Sequence, residues 1–274
     1  MMLTLPLMHA PLLGVLLSLL IAGMAGCGGA PTPPASERPA SAAWLLDAAE
    51  ARLATRHSAR IVGRVEAYQG GERVRLRQVL LVQRPGSLRL ETLSPFDVPL
   101  QVVMTNPRAV IHYDVQREAY RSGPPTASSL ATLLPVRLSP PDLVRTLLGG
   151  VPSEGFRWDH AATPTWDRRR GAWRVEGRGP GGEGVSLWFR HASWALAGVE
   201  ARDEAGAFAW GVDTALWQQG PGGEADAYPR AYRLRVRGEG LDLSLEIERY
   251  DREVELMEEL FELEPPFGVT PHPL

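Results

Sequence analysis

The chain has 274 residues, 44% of them hydrophobic and 22% charged, a globular composition rather than a disordered one. All 29 Lys-or-Arg positions are arginine and face 32 acidic residues, and the net charge of −3 excludes a global basic field for nucleic acid. The one cysteine, Cys27, excludes an intramolecular disulfide, a CxxC redox pair and any multi-cysteine zinc site.

Residues 12–25 form an apolar run of 14 residues. That is short of the roughly 20 needed to span a bilayer, but it suits the core of a secretory leader. The run ends in Met24-Ala25-Gly26-Cys27. Small residues just before a lone cysteine resemble the bacterial lipoprotein lipobox, with Met24 standing where Leu is usual and no Lys or Arg ahead of the run. The resemblance implies a leader over 1–26, cleaved before Cys27, with diacylglycerol on the Cys27 thiol and palmitate on its freed amino terminus. Several acyl chains, at about 0.8 kcal/mol per buried methylene, would anchor the protein stably. Gly28 follows the cysteine in place of the aspartate that retains lipoproteins at the inner membrane, which implies the periplasmic face of the outer membrane. Residues 27–42, rich in Pro, Ala, Gly and Ser, read as a flexible tether.

A body spans 43–250. Residues 43–56 place Leu45, Leu46, Ala49 and Leu53 at helical spacing opposite Asp47, Glu50, Arg52 and Arg56, an amphipathic helix. Strands follow between turn signals at Gly70-Gly71, Pro85-Gly86, Pro95, Pro99 and Asn106-Pro107. They cover 73–83, the alternating stretch around Leu88 and Leu90, 100–105, 109–113 and 117–122. Gln78 falls on the apolar face of its strand, which requires either a bulge or a polar residue in a cavity.

Two helices interrupt the strands. Residues 128–134 form a short one. Ser139-Pro140-Pro141-Asp142 opens the other with a serine N-cap and proline in the first turn, and Gly149 or Gly150 closes it. Residues 156–218 hold seven of the eight tryptophans and at least four strand candidates, with turns at Arg170-Gly171 and over 179–184. The triplet Arg168-Arg169-Arg170 reads as a solvated hairpin tip. Near the end, Glu239-Gly240 can turn a hairpin between 230–238 and 241–250. Setting 238 against 241 puts Val236 opposite Leu243, Leu234 opposite Leu245 and Tyr232 opposite Ile247, with Arg237 meeting Asp242 and Arg233 meeting Glu246. Within the C-terminal extension 251–274, the acidic run 253–264 carries Val254, Met257, Leu260 and Phe261 on one stripe, read as a short amphipathic helix docked on the body.

No strand–helix alternation of the βαβ kind is present, so the class is α+β with a single curved antiparallel sheet burying one face under helices. In order along the chain, 87–103 (SLRLETLSPFDVPLQVV), 130–152 (LATLLPVRLSPPDLVRTLLGGVP) and 228–250 resemble the LolA/LolB lipoprotein-carrier superfamily. The match is to the strand–loop–strand, helical segment and closing hairpin of the LolB-like outer-membrane lipoprotein receptors. Thr146 stands where that family has a tryptophan, and one extra residue separates Gly149 from Pro152. The 156–228 segment and the tail are longer than in the family.

The resemblance implies an incomplete β-barrel capped by helices, with an apolar cavity between sheet and helices that accepts acyl chains. Its lining would come from the inward residues Val65, Val74, Leu76, Leu80, Leu88, Leu90, Val102, Leu143 and Leu147. Alternation alone is equally satisfied if these form solid core. Phe96, between Pro95 and Asp97, would be the protruding residue that dips into the membrane; folded back on the sheet, it would be an edge residue. The implied partners are acylated lipoproteins or lipids, the membrane through the N-terminal lipid, and a periplasmic LolA-like carrier, with the protein acting as a monomer. The alternative is a regulatory or structural envelope lipoprotein that uses the same fold without carrying anything. His9, His57, His112, His160, His191 and His272 show no HExxH or other close ligand spacing, and no GxSxG elbow or Walker loop exists. No enzyme activity, cofactor or metal is therefore expected.

Overall fold

The computed structural model describes residues 32, 33, 35–69, 72–134, 136–237 and 241–274. Cys27 with its leader, and the turns at Gly70-Gly71 and Glu239-Gly240, lie outside these residues.

Helix α1 (Ala42–Ala54) starts at Ser41, whose hydroxyl accepts from Trp44 N at 3.2 Å. Six strands follow as an antiparallel meander: β1 (Ser58–Gln69), β2 (Glu72–Gln83), β3 (Ser87–Leu93), β4 (Pro99–Thr105), β5 (Val110–Asp114) and β6 (Ala119–Gly123). Helices α2 (Ala127–Ala131) and α3 (Pro140–Leu147) come next, then β7 (Arg157–Trp158), β8 (Thr165–Asp167), β9 (Ala172–Arg178), β10 (Gly184–Arg190), β11 (Leu196–Arg202) and β12 (Phe208–Ala215). A small separate ribbon, β13 (Gln218–Gly220) with β14 (Gly223–Tyr228), precedes the long hairpin β15 (Ala231–Val236) and β16 (Leu241–Arg252). The last strand is β17 (Pro271–Pro273).

One open curved sheet runs in the order β17-β6-β5-β4-β3-β2-β1-β16-β15-β12-β11-β10-β9-β7, with β8 on β9. Two meanders, β1–β6 and β9–β16, meet at the β1–β16 pairing. Because β6 lies near one edge and β7 at the other, the α2–α3 insert must cross the concave face to connect them. Where β1 crosses β16 the register shifts between Val62 and Gly63, and a Cβ at Gly63 would sit 2.3 Å from the Glu246 carbonyl. Only glycine allows that approach. Apolar residues of α1, the concave face and the insert form one core that includes Leu45, Leu53, Ile61, Val144, Leu148 and Phe189.

The closing hairpin forms with a different register. Val236 faces Leu241, Leu234 faces Leu243 and Tyr232 faces Leu245, two positions from the expected pairing. A two-residue slip leaves every side chain on its own face, so the apolar pattern does not distinguish the two. Arg233 bonds Asp242 at 2.8 Å, and Arg237 reaches Asp203 at 2.7 Å on a neighbouring loop.

Two further expectations, on the tail and on the arginine triplet, are corrected. The tail is not an amphipathic helix. It holds a single 3-10 turn at Glu258–Phe261, and Met257 is exposed. Its carbonyls are taken by side chains of the body instead: Leu260 O by Arg89, Phe261 O by Asn106 and Leu263 O by Tyr120, at 3.1, 2.8 and 2.8 Å. The tail thereby covers Met104, Ile111 and Tyr120 on the convex face. The described part of the tether is docked, with Pro33 and Pro39 buried and Glu37 2.6 Å from His191 Nε2. In the arginine triplet, Arg168 and Arg169 are exposed, but Arg170 folds over Trp188 at 3.8 Å and pairs with Glu200 at 3.0 Å and with Asp213.

Candidate functional site

The concave face of the first meander does not close onto the insert. A cavity of about 420 Å³ remains, within the range of small-molecule pockets. Its floor follows one cross-strand rung. Leu80 on β2 pairs Leu90 on β3, Leu90 pairs Val103 on β4, Val103 pairs His112 on β5, and His112 pairs Arg121 on β6. Directly paired residues of an antiparallel ladder share a face, so all five point inward. Leu243 and Leu245 of β16 form the far wall with Val212, Tyr232 and Leu234.

The roof is Leu143 and Leu147 of α3 with Thr132, Leu133, Leu134 and Val136. Local chemistry positions it. The Ser139 hydroxyl caps α3 by accepting from Asp142 N at 3.3 Å, worth about 1 kcal/mol, and Gly149 ends the helical segment at φ +91°. The buried Asp142 carboxylate accepts from Ser153 N at 2.6 Å, tying the end of the insert back to α3. Burial pushes its pKa up against that bond. Tyr232 OH donates to Leu147 O at 3.0 Å and pins roof to wall, and burial pushes its phenol well above the usual value.

The polar residues of the lining are few. Gln78 is buried and donates to Thr92 Oγ1 at 3.3 Å, and β2 runs past it without a bulge. It is thus a polar residue in a cavity wall. His112 Nδ1 is buried without a hydrogen-bond partner. Burial first, and Arg121 in addition, hold the imidazole below its usual pKa.

Of the nine residues expected to line such a cavity, Leu80, Leu88, Leu90, Leu143 and Leu147 do so. Val65 is buried in the core beside it, and Leu76 packs half-buried on the same core. Val74, further along β2, is 42% exposed. Val102 points to the opposite, convex face, and its neighbour Val103 is the cavity residue. Phe96 stands 88% exposed at the tip of the β3–β4 loop, next to Val98 at 55%. The loop is held from behind, since Ser94 Oγ accepts from Phe96 N and Val98 N at 3.2 Å each and Arg77 pairs Asp97 at 2.7 Å. Val103, His112 and Arg121 were not singled out from the sequence as cavity residues.

No family model and no curated protein matches the sequence. Solved structures do match. A domain assigned to outer-membrane lipoprotein sorting, from Vibrio parahaemolyticus, superposes with TM-score 0.57 at 14% identity, over 79% of this chain and 95% of that one. A LolA superfamily protein from Nitrosomonas europaea gives TM-score 0.54 at 11% identity over 81% and 98%.

The fold is LolA-like.

A DUF1329 family protein from Desulfovibrio piger shares it at TM-score 0.58 and 13% identity, over 80% and 95%. At these identities the likeness concerns the fold alone.

Proposed function

We propose that the protein is a lipoprotein, anchored by lipid on Cys27 to the periplasmic face of the outer membrane, that takes up acyl chains of lipoproteins or lipids. Its role would be binding and localisation rather than catalysis, with a periplasmic LolA-like carrier as a partner. The observation that carries the reading is the apolar cavity between β2–β6 and α3, whose lining is mostly Leu and Val. Apolar area removed from water contributes about 25 cal/mol per Å² before ordering costs, so such a lining suits a hydrocarbon chain. The lipoprotein-sorting description of the Vibrio neighbour supports the same assignment. So does the exposed Phe96–Val98 tip, a small apolar projection able to enter a membrane interface.

The test is native mass spectrometry of the protein extracted from its own membrane. A bound acylated peptide or lipid is expected, and Leu90→Glu, which places a carboxylate on the floor, should remove it while circular dichroism stays unchanged. An empty wild-type protein would favour the regulatory or structural alternative. For the anchor, Cys27→Ser should abolish palmitate labelling and membrane retention; equal labelling in that variant would sink it.

A further inference from the structure

The floor rung is polarised. It passes from Leu80, Leu90 and Val103 to His112 and then to Arg121, so one end of the cavity is hydrocarbon and the other carries a cation. Arg121 is exposed at the mouth and makes no ion pair among the described residues. The nearby carboxylate, Asp114, is engaged by its own loop, accepting from Arg117 N at 3.0 Å and Arg117 Nη1 at 3.1 Å. One step deeper, His112 Nδ1 is buried with no partner. A buried polar nitrogen left without a hydrogen bond is costly, and in native proteins such groups are nearly always satisfied.

We propose that His112 and Arg121 form the head-group end of the cavity, and that its ligand is a single-chain amphiphile with an anionic head, a carboxylate or a phosphate. This rests on the acyl-binding reading above and narrows it. The chain lies along Leu80, Leu90 and Val103 under Leu143 and Leu147. The head reaches the mouth, where Arg121 supplies charge and a forked donor set suited to either oxyanion. With its pKa depressed by burial and by Arg121, His112 is a neutral imidazole near neutrality and donates a hydrogen bond rather than a second charge. A wholly neutral ligand would satisfy His112 through a hydroxyl or carbonyl oxygen but leave Arg121 without a counter-charge.

The experiment is equilibrium binding to the full chain, immobilised and washed free of detergent. Radiolabelled palmitate, palmitoyl-lysophosphatidylglycerol and hexadecanol are compared at about pH 8, where carboxylates are ionised. Wild type should bind at least one anionic probe about fivefold tighter than hexadecanol, the scale of a solvent-facing charge pair. Whichever anionic probe binds tighter assigns the head as carboxylate or phosphate. Arg121→Gln should erase the preference while leaving hexadecanol binding unchanged, and Arg121→Lys should restore part of it. Equal affinity for all three probes in wild type, or an equal loss for hexadecanol in Arg121→Gln, overturns the head-group assignment and leaves the acyl-binding reading standing. Binding of none of the probes overturns both.

Discussion

In the β1–β6 half of the sheet, the concave face carries aliphatic side chains and stays hollow. In the β9–β12 half, the same face carries Trp173, Phe189 and Trp210 and packs around those rings, leaving a more polar cleft at its Ala201–Trp210 end. None of the eight tryptophans lines the cavity. Instead Trp166 packs edge-on against Trp173 at 5.1 Å and Trp44 against Trp194 at 4.8 Å, closing the filled half against α1. The outer faces differ in the opposite sense. The hollow half is covered outside by the apolar contacts of the tail, whereas the filled half carries Arg170, Arg235, Glu200 and Asp213 as a charge network. Large rings that interdigitate leave little void, while Leu and Val on a curved floor can leave a gap under a bridging helix. Residue volume thus separates a half packed around rings from a half that keeps an apolar cavity.

The sharpest way to break this comparison is truncation in each half. Phe189 is fully buried among rings and aliphatics, so Phe189→Ala should cost about 3–5 kcal/mol. Leu90 borders existing space, so Leu90→Ala enlarges a gap rather than opening one and should cost about 2 kcal/mol, at the low end for such changes. Urea denaturation of both variants measures the difference, and equal losses would mean that the first half is as solid as the second.

Filling is the complementary change. Val199 is fully buried between Leu187 and Val212, so Val199→Phe should cost about 1–3 kcal/mol through overpacking. Val103→Phe adds its ring into the cavity and should leave stability within about 1 kcal/mol while cutting ligand uptake. If Val103→Phe destabilises as much as Val199→Phe, no usable space exists beneath α3.

These two halves were unequally legible in the sequence. Helix α3 was legible because its boundaries are chemical: Ser139, two prolines and a glycine mark its ends whatever it packs against. The long hairpin was legible in face but not in register, since a two-residue slip preserves the alternation. Strand β4 defeated the reading for a different reason. Val102, Val103 and Met104 are consecutive apolar residues because both faces of this strand are covered, one by the cavity roof and the other by the tail around Phe261. With no polar side, alternation cannot say which residue points inward. The tail itself was misread because its stripe of apolar residues satisfies helical spacing, while its backbone partners, Arg89, Asn106 and Tyr120, lie far away along the chain. His112 and Arg121 carried no local signal; only the pairing of β5 with β6 sets them side by side.

Charge also acts at the seam between the halves, where β16 meets β1. The β13–β14 ribbon is tied to β16 by Asp226, whose carboxylate takes both guanidinium nitrogens of Arg252, one of them at 2.7 Å. The hydrogen bonds from Arg252 hold the Asp226 carboxyl below the usual carboxylate range. Its folded pKa is lower than its unfolded one, near 3.9, so the pair contributes stability above about pH 4 that is lost as pH falls through the depressed value. Asp226→Asn should cost about 1 kcal/mol at neutral pH and flatten that part of the acid unfolding curve. An unchanged acid limb would show that the ribbon is held by Tyr228 stacking on Tyr250 at 5.1 Å instead.

The smallest expected effect on stability, and the most telling for function, belongs to Phe96. The hollow half has an apolar route outward that the filled half lacks. From the cavity, the inward face of β2 continues through half-buried Leu76 to exposed Val74, at the same end of the sheet as Phe96 and Val98. Ser94 and Arg77 brace the loop from behind, so the ring is presented to solvent rather than folded onto the sheet. Because that ring touches little, Phe96→Glu should change unfolding free energy by less than about 0.5 kcal/mol. In a form starting at Gly28, which lacks the lipid anchor, the same change should sharply reduce co-sedimentation with phosphatidylglycerol vesicles and slow transfer of a bound acyl chain to them. Ligand affinity in solution should stay as it was, because Phe96 lies outside the cavity lining. A large stability loss would place the ring in a contact absent from this structure. Unchanged transfer with unchanged stability would leave the loop a plain turn and move the exit of the cavity elsewhere on the rim.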